Sequence, residues 1–312
     1  MSSDTLHYYS ARVLLETGTV PLASVNTCVG IKIASHLEGD MIIGFNSQKK
    51  YFSRLLKDGQ LTHAYLFAGP EAIGKKVFAL EIARENDQHL HDTTVITPDA
   101  ERALGTISID QVRALNSFCA TTPAFGRYKF VIIDDAHRLT DESANALLKS
   151  IEEPYPSLVW ILITHQPDAL PATIRSRCQE IRFLPQGDAA VSALPTLKKL
   201  SPKDSHMILA LAQGRVGWAI AALAGDDLSA MRQAITQWEK LPTLSILDRL
   251  AYVRALAQGE TMSQVVSWWL AWARTQLPQQ SVVAHKLLAL MPVLQQSQFN
   301  HRLALENFLL AL

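Results

Sequence analysis

The amino-acid sequence predicts an α/β domain with a mostly parallel sheet and helices on both faces, followed by a small helical domain and an all-α C-terminal domain. Two observations support this prediction. Between about residues 41 and 184, short runs of branched and aromatic residues alternate with helical apolar patterns, and such alternation is typical of a parallel sheet. After residue 185 the strand-like runs end, and helical periodicity continues towards the C-terminus.

The predicted strands cover residues 64–68, 93–97, 129–134, 158–164 and 180–183, and predicted helices cover 75–84, 110–120 and 141–153. Apolar residues on one face of the second helix are Val112, Leu115 and Cys119. Those on one face of the third are Ala144, Leu147, Leu148 and Ile151. The third helix follows Thr140, which suits an N-cap, and it stops at Pro154.

Changes in apolar periodicity divide the sequence into four parts: 1–40, 41–184, 185–225 and 226–312. The first part shows no sustained period, so we expect a non-native or weakly ordered extension with a natural start at Met41, or else a small appendage. The third part predicts short helices. The fourth carries apolar stripes that predict packed helices: Val265, Trp269 and Trp272, then Leu305, Phe308, Leu309 and Leu312.

Composition excludes several classes of protein. The 312 residues include 29 basic and 29 acidic side chains, so no global field draws the chain to nucleic acid or membrane. No apolar run reaches the length of a membrane span, and no signal peptide is recognisable. The three cysteines, at 28, 119 and 178, form no C-x-x-C pair. We therefore expect a cytoplasmic protein with reduced thiols and no disulfide framework.

The strongest local motif is the segment at residues 69–76, which reads GPEAIGKK. It lies between a predicted strand and a predicted helix, the context of a phosphate-binding loop. Gly69 and Gly74 allow the backbone N–H groups to face a phosphate, and Lys75 would reach the terminal phosphates. Lys76 departs from the pattern, because a Ser or Thr hydroxyl normally ligates Mg²⁺ at that position. Nucleotide binding could survive this change, but efficient Mg²⁺-assisted hydrolysis is not expected.

Two further segments contain candidate functional residues. Four apolar residues run into Asp134 and Asp135, as in the second phosphate-site strand of P-loop proteins. Asp134 would hold Mg²⁺ through water, and Asp135 is one methylene shorter than the Glu that many relatives use, which again predicts weak hydrolysis. Arg175 and Arg177 precede the last predicted strand, where a guanidinium could pair with phosphate in a bidentate manner.

Several motifs together resemble the AAA+ clamp-loader family of bacterial DNA polymerase III, and within it the delta-prime subunits. The matching segments are MIIGFN at 41–46, LTHAYLF at 61–67, IIDDAHRLT at 132–140, ANALLK at 144–149, EEP at 152–154 and SRC at 176–178. The resemblance covers residues 41–183 and extends more loosely to the C-terminus. It implies a P-loop AAA+ domain followed by a helical lid and a helical collar.

The resemblance also implies a function. Clamp loaders are ring-like pentamers that open a sliding clamp and close it around primer–template DNA, with ATP sites shared between neighbouring subunits. Arg177 would be an arginine finger that acts in trans on ATP bound to a gamma or tau subunit. The implied partners are the gamma/tau and delta subunits, and through them the clamp and DNA. Within the polymerase holoenzyme this chain would have no catalysis of its own.

Three features favour delta-prime over its ATP-hydrolysing gamma/tau siblings. Lys76 replaces the hydroxyl residue, the sensor position reads Thr164-His165, and Gly217 occupies the lid arginine position. Arg215 lies two residues out of register. The alternatives are a gamma/tau-like or other AAA+ ATPase, and a kinase-like P-loop enzyme, which the Ser-Arg-Cys triplet and the helical C-terminal third disfavour.

Zinc is not expected as a cofactor. Many clamp-loader chains carry a four-cysteine module after the phosphate-loop helix, but here residues 85–92 contain no cysteine, and His89 and His91 are the only candidate ligands in that stretch. The resemblance leaves ATP or ADP, bound weakly at Lys75, as the candidate cofactor.

Overall fold

The computed structural model describes residues 31–33, 43–99, 105–225, 227–257, 262–294, 296 and 299–311. Most of the expected N-terminal extension, with the expected start at Met41 and with Cys28, lies outside the described residues. Residues 31–33 of that segment form a strand. No helix in the described parts of the chain is long and apolar enough to cross a membrane.

One six-stranded sheet organises the N-terminal half. Its strands are β1 (Ile31–Ile33), β2 (Ala64–Ala68), β3 (Thr93–Ile96), β4 (Lys129–Ile133), β5 (Leu158–Thr164) and β6 (Gln179–Arg182). The order across the sheet is β1-β3-β4-β5-β2-β6. β1 pairs with β3 in the antiparallel sense, and all other neighbours are parallel. The predicted parallel sheet is therefore confirmed, and the strand ends differ from the predicted ones by at most one residue.

Fourteen helices lie in the described residues. They are α1 (Asn46–Asp58), α2 (Lys75–Asn86), α3 (Ile109–Arg113), α4 (Asn116–Cys119), α5 (Asp141–Glu152), α6 (Ala172–Arg175), α7 (Asp188–Ser192), α8 (Pro202–Ala212), α9 (Val216–Ala224), α10 (Asp227–Lys240), α11 (Ile246–Leu256), α12 (Met262–Thr275), α13 (Ser281–Leu294) and α14 (His301–Leu310). Short 3-10 turns include Ala136–Arg138, directly after β4. The helical C-terminal region agrees with the predicted fold class.

Helices cover both faces of the sheet, which is why β2, β4 and β5 are buried along their whole length. One face packs an aromatic core that includes Phe52, Phe67 and Phe78. The other face packs Val131 and Leu147 with neighbouring apolar residues. The loops at the carboxyl ends of the strands lie between these two cores, and in open parallel sheets ligands bind at that edge.

The predicted helix at 110–120 is wrong in its continuity, because α3 and α4 are separate. Leu115 N donates to Val112 O at 3.1 Å, an i→i−3 bond that tightens the chain between the two helices. Val112, Leu115 and Cys119 are all buried, so the predicted apolar face is correct. The tightened turn keeps all three on the core side.

The start of α5 is as predicted. Thr140 Oγ1 accepts a hydrogen bond from Ser143 N at 3.2 Å, which satisfies one of the unpaired donors at the helix N-terminus. Ala144, Leu147 and Ile151 are buried against the sheet. This cap fixes where α5 begins, and therefore the length of the turn that joins it to β4.

Asp92 anchors the loop that leads into β4. Its carboxylate accepts N–H bonds from Ala124, Phe125 and Gly126 at 2.7–3.1 Å. Burial acts to raise the pKa of Asp92, but these donors and the nearby Lys129 ammonium outweigh it, and the pKa lies below its ordinary value. The carboxylate form is therefore the one that stabilises the fold.

The variant Asp92→Ala is expected to lower the free energy of unfolding by about 3 kcal/mol at neutral pH, because three backbone donors lose a charged acceptor. The contribution of Asp92 is present above the ordinary pKa of a carboxyl group and is lost as pH falls through its lowered pKa. Urea unfolding of the wild type and of the variant at neutral and acidic pH measures both effects. A difference in the free energy of unfolding that does not become smaller at acidic pH would contradict this prediction.

Residues assigned by sequence to the lid and the collar share one apolar core. It contains Ile208 of α8, Ala219 of α9, Trp238 of α10 and Trp269 of α12, and it extends to Leu309 of α14. Of the predicted stripes, Val265, Trp269, Leu305, Phe308 and Leu309 are buried, Trp272 is partly buried, and Leu312 lies outside the described residues. The continuous core joins α8 and α9 firmly to the helices that follow them.

Candidate nucleotide site and exposed arginine

The phosphate-loop segment lies between β2 and α2, as its motif predicts. Gly69 approaches the end of β6 so closely that a Cβ there would lie 2.2 Å from Phe183 O. Gly74 has φ 102° and immediately precedes the first residue of α2, a conformation that favours glycine. Both glycines are therefore required by the backbone path, and the N-terminus of a twelve-residue helix faces the loop.

Lys75 bends back over this loop. Its Nζ donates to Gly69 O at 2.7 Å and to Pro70 O at 2.6 Å, and the residue is 6% exposed. Burial lowers the pKa of Lys75 to about 8, against the opposing effect of Asp134 and Asp135. The carbonyl oxygens of the loop therefore bind the ammonium of Lys75.

Lys76 forms an ion pair with Asp134. The distance from Nζ to Oδ2 is 3.1 Å, and the side chains are 37% and 22% exposed. In P-loop enzymes the corresponding acid holds Mg²⁺ with the help of a hydroxyl on the residue that is Lys76 here. In this chain the charge of Asp134 is instead neutralised by Lys76.

Asp135, His137 and His165 lie together beside this pair. Asp135 has φ 49°, and its Oδ1 is 3.8 Å from His165 Nδ1. Burial raises the pKa of Asp135, and the adjacent Asp134 raises it further. The rings of His137 and His165 meet edge to face, with centroids 4.2 Å apart, and burial lowers the pKa of His137 to about 4.

His137 was not identified as a site residue from the sequence. It lies two residues after Asp135 in the matched motif, which is the one signal that could have found it. Thr164 at the sensor position is buried, and its Oγ1 lies 3.4 Å from His137 Nδ1 and accepts from Gln166 N at 3.0 Å. The ends of β4 and β5 are thereby connected through side chains.

Helix α9 contacts the loop at residues 69–76 through its backbone. Trp218 N donates to Ala72 O at 2.9 Å, and a Cβ on Gly217 would lie 2.6 Å from the same oxygen. Arg215, by contrast, donates to the carbonyl oxygens of Ala212 and Leu211 at 3.0 Å. Its guanidinium thereby caps the end of α8.

Arg177 lies at a different surface, just beyond α6. Its Nη2 is 2.7 Å from Glu152 Oε1, and its Nη1 donates to Thr173 O at 3.1 Å. The side chain is 40% exposed. Arg175 pairs with Asp168 at 3.0 Å. The structure thus brings together the loop at residues 69–76, the two acids Asp134 and Asp135, and His165. The side chain of Arg177 instead contacts α5 and α6.

Comparison with known proteins gives several similar proteins that are subunits of DNA polymerase III. The family described as DNA polymerase III, delta subunit, matches residues 45–187. The DNA polymerase III delta-prime subunit of Pseudomonas aeruginosa is 34% identical over 191 residues, 54% of this chain and 57% of that protein. The tau/gamma subunit of Haemophilus influenzae is 28% identical over 214 residues, 62% of this chain and 30% of that protein.

Among solved structures, a DNA polymerase III gamma subunit-related protein from Thermotoga maritima is 18% identical, with a TM-score of 0.48 and coverage of 83% of this chain and 97% of that chain. The chain spans less than two thirds of the length of either curated relative described above. The sequence relatives and the matched segment 45–187 agree with each other. Over these shared residues the chain is similar to clamp-loader subunits of DNA polymerase III.

Proposed function

We propose that this chain is a delta-prime-type subunit of a clamp loader, with a degenerate nucleotide site of its own and an arginine finger that acts on a neighbour. Its partners would be the gamma/tau and delta subunits, and through the assembly the sliding clamp and primer–template DNA. The observation that carries the proposal is the ion pair between Lys76 and Asp134, 3.1 Å apart.

This ion pair opposes Mg²⁺-assisted hydrolysis in two ways. Mg²⁺ is held by oxygen ligands, and Lys76 supplies a cation where a hydroxyl oxygen is needed. The same ammonium neutralises Asp134, which removes much of the attraction for a second cation. ATP or ADP could still meet the N–H groups of the loop and Lys75, so we propose weak nucleotide binding without turnover.

Gly217 supports the same conclusion. A side chain at this position would collide with Ala72 O, since even a Cβ comes within 2.6 Å. The lid helix α9 therefore approaches the loop too closely for an arginine that reaches a phosphate. Stabilisation of developing charge from the lid is not available to this site.

The surroundings of Arg177 support a role in trans. Its partner Glu152 is 47% exposed and Arg177 itself is 40% exposed, and exposed ion pairs contribute little to stability. The guanidinium could exchange Glu152 for a phosphate of a neighbouring subunit at small cost. A bidentate donor of this kind suits the charge that spreads over the oxygens of a transferring phosphoryl group.

A gamma/tau-like ATPase is the competing function, because a tau/gamma subunit is also among the relatives. ATP turnover by the isolated chain, measured with Mg²⁺, separates the two. We expect no turnover above that of the variant Lys75→Ala. Turnover that is present in the wild type and lost in Lys75→Ala would overturn the degenerate site and favour the ATPase.

The role in an assembly is tested by reconstitution. Gamma/tau and delta subunits are mixed with or without this chain, and clamp loading on primed DNA is followed together with ATP hydrolysis. We expect both activities to require the chain. Full loading in its absence would contradict the proposal.

A further inference from the structure

Three potential metal ligands meet at the carboxyl ends of two neighbouring strands. Asp135 and His137 follow β4, and His165 follows β5. Each offers one ligand atom, and the three atoms all lie within 4.8 Å of one another. Because β4 and β5 are adjacent in the sheet, the backbone hydrogen bonds of the core hold the ligands together.

The spacing is close to what a metal ion requires. Zinc binds imidazole nitrogen and carboxylate oxygen at about 2.0–2.2 Å, so tetrahedral ligands lie about 3.4 Å apart. His165 Nδ1 and Asp135 Oδ1 are 3.8 Å apart. Small rotations of these partly exposed side chains would bring their ligand atoms to the distance that an ion needs.

Polar neighbours orient both rings. Thr164 Oγ1 lies 3.4 Å from His137 Nδ1, which leaves Nε2 of that ring for an ion. His165 Nδ1 faces Asp135 Oδ1, and with an ion on Nδ1 the ring carries its hydrogen on Nε2. Nε2 lies 3.2 Å from the side-chain amide nitrogen of Gln166, so that amide must turn by 180° to present its oxygen as the acceptor. Partners of this kind on the second ring nitrogen are common around metal-binding histidines.

Nearby charges determine which of the two carboxylates can bind a metal ion. Lys76 already neutralises Asp134, so Asp135 is the carboxylate left for a cation. Lys75 and Arg138 act on His137 as like charges to a bound cation, and Asp134 acts in the opposite sense. Lys75 and Arg138 therefore oppose a cation at this site, and the attraction of the three ligands has to outweigh them.

We propose that Asp135, His137 and His165 bind one divalent transition-metal ion, and that zinc fits them best. Two imidazoles and one carboxylate suit zinc and its first-row neighbours, whereas Mg²⁺ prefers oxygen ligands. Three protein ligands leave a fourth position for water. The bound ion would also occupy Asp135 and remove it from any role in ATP hydrolysis. This site does not require the trans role of Arg177.

The test uses the full chain without an affinity tag, freed of metal by a chelator that is then removed. Co²⁺ is titrated in and followed by its visible absorption, Zn²⁺ is used to displace it, and calorimetry gives the stoichiometry. We expect one ion per chain in the wild type. His137→Ala, His165→Ala and the nearly isosteric Asp135→Asn should each weaken binding by about tenfold or more.

The double variant His89→Ala/His91→Ala is the matched control. These rings also lie close together, with centroids 5.6 Å apart and with His91 Nδ1 3.6 Å from Asp87. The control should bind Co²⁺ as the wild type does. Zn²⁺ should raise the melting temperature of the wild type and of the control, but not of Asp135→Asn. A wild type without saturable binding, or binding lost in the control and kept in His165→Ala, would overturn the site.

Discussion

Replacing Arg177 with alanine is expected to lower ATP hydrolysis by an assembled clamp loader about a thousandfold at each site that the residue serves. In the proposed role its guanidinium stabilises charge on the phosphate of a neighbour's ATP, and alanine leaves that charge uncompensated. Arg177→Lys should restore little of the rate, because a lysine ammonium lacks the planar fork of donors. Clamp- and DNA-stimulated phosphate release measures the effect.

Two controls make this result interpretable. Arg182→Ala removes an exposed arginine that pairs with Glu180 on β6, and the rate should not change. Size-exclusion chromatography must show that the assembly still forms with Arg177→Ala. An unchanged rate in an intact assembly would exclude the finger role and leave the chain as a scaffold.

Trp269→Ala is expected to lower the free energy of unfolding by about 3–5 kcal/mol. Trp269 is fully buried, and its Nε1 donates to Ala234 O at 3.0 Å. The centroid of its ring lies 5.4 Å from the ring centroid of Trp238 and 6.0 Å from that of Tyr252. Alanine would leave a cavity in the core shared by lid and collar. Urea unfolding followed by far-ultraviolet circular dichroism measures the change.

Trp269→Phe separates packing from hydrogen bonding. Phenylalanine keeps most of the ring but loses the donor to Ala234 O, so a smaller loss of about 1–2 kcal/mol is expected. Equal losses for the two variants would indicate that the hydrogen bond, not the ring volume, determines stability here.

Much of the α/β fold was predictable because its signals are local. The buried strands β2 and β5 read as short branched and aromatic runs, and both were predicted with their observed bounds. The position of the glycine-containing loop was predictable because glycines at 69 and 74 stand between a strand and a helix. The cap at Thr140 was equally local, since a threonine before two acids is a sufficient signal.

The remaining features depend on which segments become neighbours in space. His137 and His165 are 28 residues apart in sequence, and they meet because β4 lies next to β5, an order that periodicity does not encode. The division between α3 and α4 lies at Leu115, which is buried in the core on that face of the sheet, and the helical pattern alone does not show it. α1 (Asn46–Asp58) was likewise not assigned in advance, although its buried Phe52 is central to the aromatic core.

The backbone hydrogen bond from Trp218 N to Ala72 O couples the C-terminal helices to the loop at residues 69–76. The helix α9 that carries Trp218 belongs to the same core as α12 and α14, so it cannot turn independently of them. Any rotation of these helices against the sheet must break this hydrogen bond or move the loop at residues 69–76. The conformation of this loop therefore depends on the position of the C-terminal helices, and a force applied to those helices would reach the loop.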